Sequence, residues 1–255
     1  MKRKLVAALA CRNQGSRLYG KPLQNLDVAR GVRIIDQIIA NLKSIAIIDE
    51  IVLGIADGVE NEVFIRIATE HGLKYVIGDG IDVLGRLINC GQIACATDIF
   101  RVTSESPYLY FEPVEECWQE HVRENADATF MDDVVDGCGF QILSLSALEI
   151  SHLKGTDKHR SEFCSLYIRE NLSNFKVIRK FPPESLIRRD IRLTVDNPED
   201  LVLCRIVYGI FQDKAPNVSV QEVVNFLDKN PSLIELCSKY TDVGYSTMYI
   251  WGDKL

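Results

Sequence analysis

Three cations, Arg12, Arg17 and Lys21, fall within the stretch CRNQGSRLYGKP (11–22). Clustered guanidinium and ammonium groups suit a polyphosphate, whose oxygens accept charge-assisted hydrogen bonds. The segment GSRLYGKP (15–22) follows the phosphate-binding pattern G-x-x-x-x-G-K-[ST] until its last position, which is Pro22. A P-loop uses a hydroxyl there to ligate Mg2+ and backbone N–H groups to cradle the phosphates. Proline offers neither, so the segment is a phosphate site of another design. Two acids can serve it from a distance, Glu105 in TSES (103–106) and Asp196 in RLTVD (192–196). Together they could hold Mg2+ through oxygen while the cations neutralise a nucleoside triphosphate. The plainer alternative makes Asp196 a helix-capping residue and Glu105 a solvated loop acid.

The elements around these residues must bring them together. LVAALA (5–10), EIVLGIAD (50–57), KYVIG (74–78), DIFRVTS (98–104) and DIRLTVD (190–196) have the short apolar runs of buried strands. Helical periodicity occupies 32–43, 61–71, 82–95 and 112–125. This β-α-β-α rhythm predicts an α/β fold with a mostly parallel sheet and helices on both faces. FQILSLS (140–146) and FKVIRKF (175–181) add strands beyond the parallel core. NPED (197–200) places Asn197 as N-cap before Pro198, and SVQE (219–222) reads as a capping box. No repeat or linker divides the chain, so 1–255 is expected to be one domain with a C-terminal helical tail from about 217. In such a sheet ligands lie beyond the carboxyl ends of the strands. The cationic loop, TSES and Asp196 all follow strands in this scheme.

Composition excludes several classes. A net charge of −7 argues against a nucleic-acid partner, because a phosphate backbone needs a broad basic footprint. No apolar run reaches membrane-spanning length, and the run before Cys11 is too short for a signal sequence. The eight cysteines include no C-x-x-C pair and the four histidines no ligand spacing, which points to reduced core thiols in a cytoplasmic protein.

The order of motifs resembles the cytidylyltransferases of the spore-coat-polysaccharide type, relatives of CMP-Kdo synthetase and acylneuraminate cytidylyltransferase. Their opening A-R-x-x-S-x-R-L-P-G-K-P-L is matched by CRNQGSRLYGKPL, with Tyr19 for proline. DVLGR (82–86), RVTSESP (101–107) and RLTVDNPEDL (192–201) match the family's D-V-L-x-R, R-I-T-G-D-x-P and R-x-T-V-D-T-P-E-D-L. The resemblance implies a Rossmann-like nucleotide-diphospho-sugar transferase fold and transfer of CMP from CTP to a small acceptor with loss of pyrophosphate. It implies catalytic roles for Arg12, Arg17 and Lys21 and nucleotide contacts from Ala10, Ser16, Asp57, Arg86 and Thr103. It also implies Mg2+ on Glu105 and Asp196, acceptor contacts from Gln141, Arg160 and Glu162, and a homodimer.

The departures bear on the acceptor and on activity. Glu105 replaces the family's aspartate and Ser104 its glycine, so the loop is expected to take another path. GCGFQI (137–142) stands where relatives carry G-L-D-V-E-V, leaving Gly139 and Gln141 for two acids, and SEFC (161–164) puts Phe163 for a histidine. The acceptor is therefore expected to be unusual, unless Phe163 and Cys164 only pack. A catalytically inactive nucleotide-binding homologue is one alternative. A glycosyltransferase is another, set back by the absence of any D-x-D. The basic stretch 179–192 reads as solvated surface, His71 and the tryptophans as structural, and the aromatic tail YSTMYIWGDKL as a surface for a partner subunit.

Overall fold

The computed structural model describes residues 3–15 and 17–248, with side chains as far as Thr241. The strands are β1 (Leu5–Cys11), β2 (Asn25–Asp27), β3 (Val32–Arg33), β4 (Glu50–Ala56), β5 (Lys74–Gly78), β6 (Asp98–Arg101), β7 (Ala128–Met131), β8 (Phe140–Ser144) and β9 (Val177–Arg179). The helices are α1 (Ile34–Ser44), α2 (Val63–His71), α3 (Val83–Ile93), α4 (Val114–Arg123), α5 (Leu145–Lys154), α6 (Asp157–Arg160), α7 (Leu166–Glu170), α8 (Pro198–Phe211), α9 (Val220–Asp228) and α10 (Pro231–Met248).

One sheet runs β5-β4-β1-β6-β8-β7-β9, and only β8 opposes the rest. Its centre, β1, is buried on both faces, which is why LVAALAC lacks any polar alternation. Leu5, Ala7 and Leu9 pack under α1, α2, α4 and α8, whereas Val6 and Ala8 pack under α3, α5 and α7. The chain leaves β1 toward β4 on one side and meets β6 on the other, so the order reverses between β1 and β6. Their pairing stops at Ala8 and Arg101. Beyond that point the strands part and leave a crevice at their carboxyl ends, the place where open α/β sheets bind ligands.

The mostly parallel sheet and its helices agree with the expected fold class, and the differences in detail have local causes. DIRLTVD is not a strand of the sheet. It is an extended segment touching the loop after β7 through the Asp136 bridge to Arg192 and the loop after β6 through Val195 N–H to the Glu105 carbonyl at 3.1 Å. Its apolar residues Ile191, Leu193 and Val195 are buried as in a strand, but so are Arg192 and Thr194, because loops cover both sides. The strand expected over 98–104 ends at Arg101, where the crevice begins. ATFM in β7 went unnoticed in the sequence because four residues give too little pattern. Ser219 takes the N-cap position of α9 but makes no side-chain cap, whereas the Asp200 carboxylate accepts from Asn197 N–H at 2.8 Å. All eight cysteines are unpaired and all but Cys95 are buried.

Gly137 fixes the turn between β7 and β8 with φ at 90°. A Cβ there would stand 2.7 Å from the Thr194 nitrogen, inside the extended segment that ends at Asp196. Gly137→Ala is expected to destabilise the protein by about 2 kcal/mol or more, from backbone strain and this collision together. Denaturant unfolding measures it, and a loss below about 0.5 kcal/mol would show that the turn does not brace the segment.

Candidate active site

The loop after β1 closes on itself before it reaches the site. Gly20 N–H donates to the Asn13 carbonyl at 2.9 Å, and Gly20 adopts φ of 61°, the left-handed region that favours glycine. Asn13 is buried, and its N–H donates to Asn61 Oδ1 at 2.8 Å. The loop is thus anchored to the segment after β4, and Lys21 and Arg17 are turned toward the crevice.

There they meet Asp196, far along the chain. Lys21 Nζ lies 2.5 Å and Arg17 Nη2 3.0 Å from Asp196 Oδ1. Arg192 holds Asp196 Oδ2 and also reaches Asp136 at 2.8 Å and Asp200 at 3.2 Å. Burial would raise the Asp196 carboxyl, but Lys21, Arg192 and Arg17 outweigh it and hold the group below the usual range. Asp196 is neither a simple cap nor solvated.

Glu105 approaches from the loop after β6. Ser104 keeps an ordinary φ, since among the described residues only Cys95 and Asn125 are non-glycines with positive φ. Its hydroxyl donates to the Ala10 carbonyl at 2.9 Å and lies 3.2 Å from Glu105 Oε2. That bond extends the contact between β1 and β6 past the last backbone pair, which a glycine could not do. Thr103 shares a hydroxyl contact of 2.6 Å with Ser106, which donates to Thr194 at 2.9 Å. These bonds tie the Glu105 loop to the segment carrying Asp196. Burial raises the Glu105 carboxyl, Lys21 pulls it down and Asp196 pushes it up, with a net rise.

The remaining expected residues are spread around this centre. Arg12 lies 3.5 Å from Glu162, and Arg101 donates to the Glu162 carbonyl at 3.0 Å. Gln141 pairs with Arg101 across the strands; it is buried, and its side-chain oxygen accepts no bond from the described residues. Arg160 turns away, donating to the His152 carbonyl at 3.1 Å. Asp57 is exposed beside the β5 end, its N–H on the Gly78 carbonyl at 2.8 Å. Arg86 is buried behind the loop and donates to the carbonyls of Gly54 at 2.9 Å and Cys11 at 3.2 Å. It braces the strand ends. Ser16 lies outside the described residues, as does Trp251. A side chain at Gly139 would collide with the Met131 carbonyl, so an acid has no room there.

Sequence reasoning missed Arg192, Asn13 and Arg101. Arg192 belongs to the stretch read as solvated surface, yet it is buried among three aspartates. The signal was its position between Ile191 and Leu193, four residues before Asp196. Arg101 and Asn13 had only their nearness to strand ends to mark them.

The donor set fits Mg2+ in type: two carboxylates, hard oxygen ligands, beside a cation-lined crevice. Among the described residues no group of three or more His, Cys, Asp or Glu could hold a metal. A metal here would take its remaining oxygens from a phosphate or water, as Mg2+ commonly does.

No family model matches the chain. Two curated relatives match along most of their length: the uncharacterized protein MJ1063 of Methanocaldococcus jannaschii, 27% identical over 95% of this chain and 98% of that one, and the spore coat polysaccharide biosynthesis protein SpsF of Bacillus subtilis, 24% identical over 88% and 93%. A cytidylyltransferase from Leptospira borgpetersenii superposes with a TM-score of 0.80 at 18% identity, over 92% of this chain and 97% of that one. The CMP:2-keto-3-deoxy-manno-octonic acid synthetase, solved in complex with CTP, gives 0.58 at 16% identity over 81% and 99%. The chain resembles the spore-coat-type cytidylyltransferases. Its fold is that of the nucleotidyltransferases.

Because the folded value of Glu105 is raised, its contribution to stability is full below its ordinary value of 4.5 and is lost as pH rises through the folded value. Glu105→Gln cannot ionise. Its melting temperature is expected to exceed that of the native protein at pH 7, with the gap shrinking toward pH 4. A gap independent of pH would show that ionised Glu105 is not strained by its surroundings.

Proposed function

We propose that the protein is a cytidylyltransferase that moves CMP from CTP to a sugar acid, sugar phosphate or related acceptor, releasing pyrophosphate for cell-surface glycan synthesis. The observation that carries this is the meeting of Lys21 and Arg17 with Asp196, 175 and 179 residues along, at the point where the strand order reverses. Cations and acids so placed suit a triphosphate with its divalent cation. The CTP complex of the similarly folded synthetase supports the choice of nucleotide.

In this reading Arg12, Arg17 and Lys21 bind the triphosphate and stabilise the charge that gathers on the departing pyrophosphate. Asp196 and Glu105 would hold Mg2+, which when bound neutralises phosphate oxygens. Arg192 keeps Asp196 ionised and oriented. The acceptor oxygen attacks the α-phosphorus as the bond to the α,β-bridging oxygen breaks, pyrophosphate leaves with that electron pair, a hydroxyl acceptor gives its proton to solvent, and no covalent enzyme intermediate is needed. Gln141, Arg101 and Glu162 lie on the side of the crevice toward β8, where the acceptor would enter. Gly139 and Gln141 in place of acids support an acceptor unlike those of the relatives. The same proposal makes the protein a cytoplasmic homodimer without nucleic-acid or membrane partners. Among the described residues no helix is long and apolar enough to cross a membrane.

Pyrophosphate release with CTP, Mg2+ and a panel of sugar acids and sugar phosphates tests the proposal. Lys21→Ala and Arg17→Ala are each expected to lower turnover about 10²-fold or more, the scale for losing a preorganised charge at a reacting phosphate. Glu105→Asp is expected to fall below the native protein. Activity gained by Glu105→Asp in a silent parent would instead favour the inactive homologue.

A further inference from the structure

The seven-stranded sheet has two edges, β5 and β9. An open edge offers its N–H and C=O groups to another strand unless charge, proline or a covering element blocks it. The β9 edge is guarded, because Lys176, Arg179 and Lys180 lie in or beside it and self-pairing would crowd these cations together. β5, KYVIG, has neither a proline nor a run of like charge. Asp57 N–H donates to the Gly78 carbonyl at 2.8 Å, so Gly78 turns its backbone toward β4, and Val76 and Lys74 do the same by alternation along the parallel ladder. The N–H and C=O groups of Tyr75 and Ile77 therefore point outward, and none of the described residues bonds to them there. Their side chains are 38% and 54% exposed, and Ile81 just beyond the strand is exposed as well.

We infer that β5 pairs antiparallel with β5 of a second copy of this chain about a two-fold axis at Val76, joining two seven-stranded sheets into one. The register follows from the outward-facing residues. With Val76 on the axis as a non-hydrogen-bonded pair, Tyr75 of each copy exchanges both backbone bonds with Ile77 of the other. An axis perpendicular to the sheet preserves its faces, so two tyrosines and two isoleucines gather on one side as aromatic and β-branched cross-strand pairs. The charges agree with this direction. Lys74 heads the strand and the exposed Asp79 follows it, so antiparallel pairing sets Lys74 opposite Gly78 and beside Asp79 of the second copy, whereas parallel pairing would set Lys74 beside Lys74. Lys74 already has Glu50 at 2.8 Å, which leaves no unmatched charge at the seam. The axis reverses the strands, so the two crevices open at opposite ends and neither copy lends a residue to the other's site. The inference gives the homodimer of the proposed function its surface and needs nothing of the CTP chemistry.

Sedimentation velocity on the full chain is expected to show a dimer. Ile77→Lys puts a charge among the four apolar side chains and is expected to be a folded monomer at the same concentration. Val76→Cys, made together with Cys95→Ser to remove the exposed native thiol, is expected to crosslink under mild oxidation. Opposite Cα atoms of a non-hydrogen-bonded pair stand about 4.5 Å apart, within disulfide reach. Ile77→Cys in the same background is expected to stay unlinked, because each Ile77 lies diagonal to its own copy at about 7–8 Å. A monomeric native protein overturns the inference, as does a dimer that survives Ile77→Lys or a crosslink formed at position 77 rather than 76. Should Ile77→Lys fail to fold, the two cysteine variants decide by themselves. A native protein that dimerises through β5 but does not bind CTP overturns the proposed function alone.

Discussion

One carboxylate, Asp196, joins the cationic loop to the buried cluster around Arg192. Its ionisation requires the cations around it, since burial alone would push its proton affinity up. Those cations come from two places with different freedom. Arg192 is fixed in the protein by a second and third aspartate, whereas Lys21 and Arg17 ride on a loop. Fixed charge orients the acid, and the loop cations add their charge from the open side. Removing one partner of such a buried cluster strands the rest, at about 3–5 kcal/mol for a truly buried pair. The core beneath therefore has to place three separate segments to within hydrogen-bond tolerance.

It does so with a strand that has no polar surface. β1 is covered on both faces, and the crevice opens only because β1 and β6 stop pairing at Ala8 and Arg101. Ser104 carries one contact across the gap through its hydroxyl on Ala10, and Arg86 ties together the strand ends on the other side. Arg86 is buried with backbone carbonyls as its partners, and burial lowers its proton affinity. A guanidinium stays charged under those conditions because its ordinary value is so high. The replacement of the family's glycine by Ser104 is thus a structural gain at the base of the same loop where Glu105 replaces a shorter acid.

The side of the crevice toward β8 differs in kind. Gly139 has no room for a side chain, and Gln141 brings a neutral amide into a buried position beside Arg101. Arg160, expected there, braces α5 through the His152 carbonyl instead. The side of the crevice toward the β1 loop is built from motif residues, whereas the side toward β8 is built from substitutions and from packing around them.

The sequence by itself determined the alternation of strands and helices, the cationic loop after the first strand and the two acids, because periodicity and charge are local properties. It also carried the family resemblance, through motifs whose order survives in the folded chain. Tertiary structure decided what proximity alone can decide. It made DIRLTVD a tether between loops rather than a strand, turned Arg192 from apparent surface charge into the buried partner of Asp196, and aimed Arg86 and Arg160 at backbone carbonyls. A cation reads the same in sequence whether it faces water, a carbonyl or a carboxylate. Which of these it meets is fixed by segments more than a hundred residues away in the case of Lys21 and Asp196, and by the burial that makes each pairing strong.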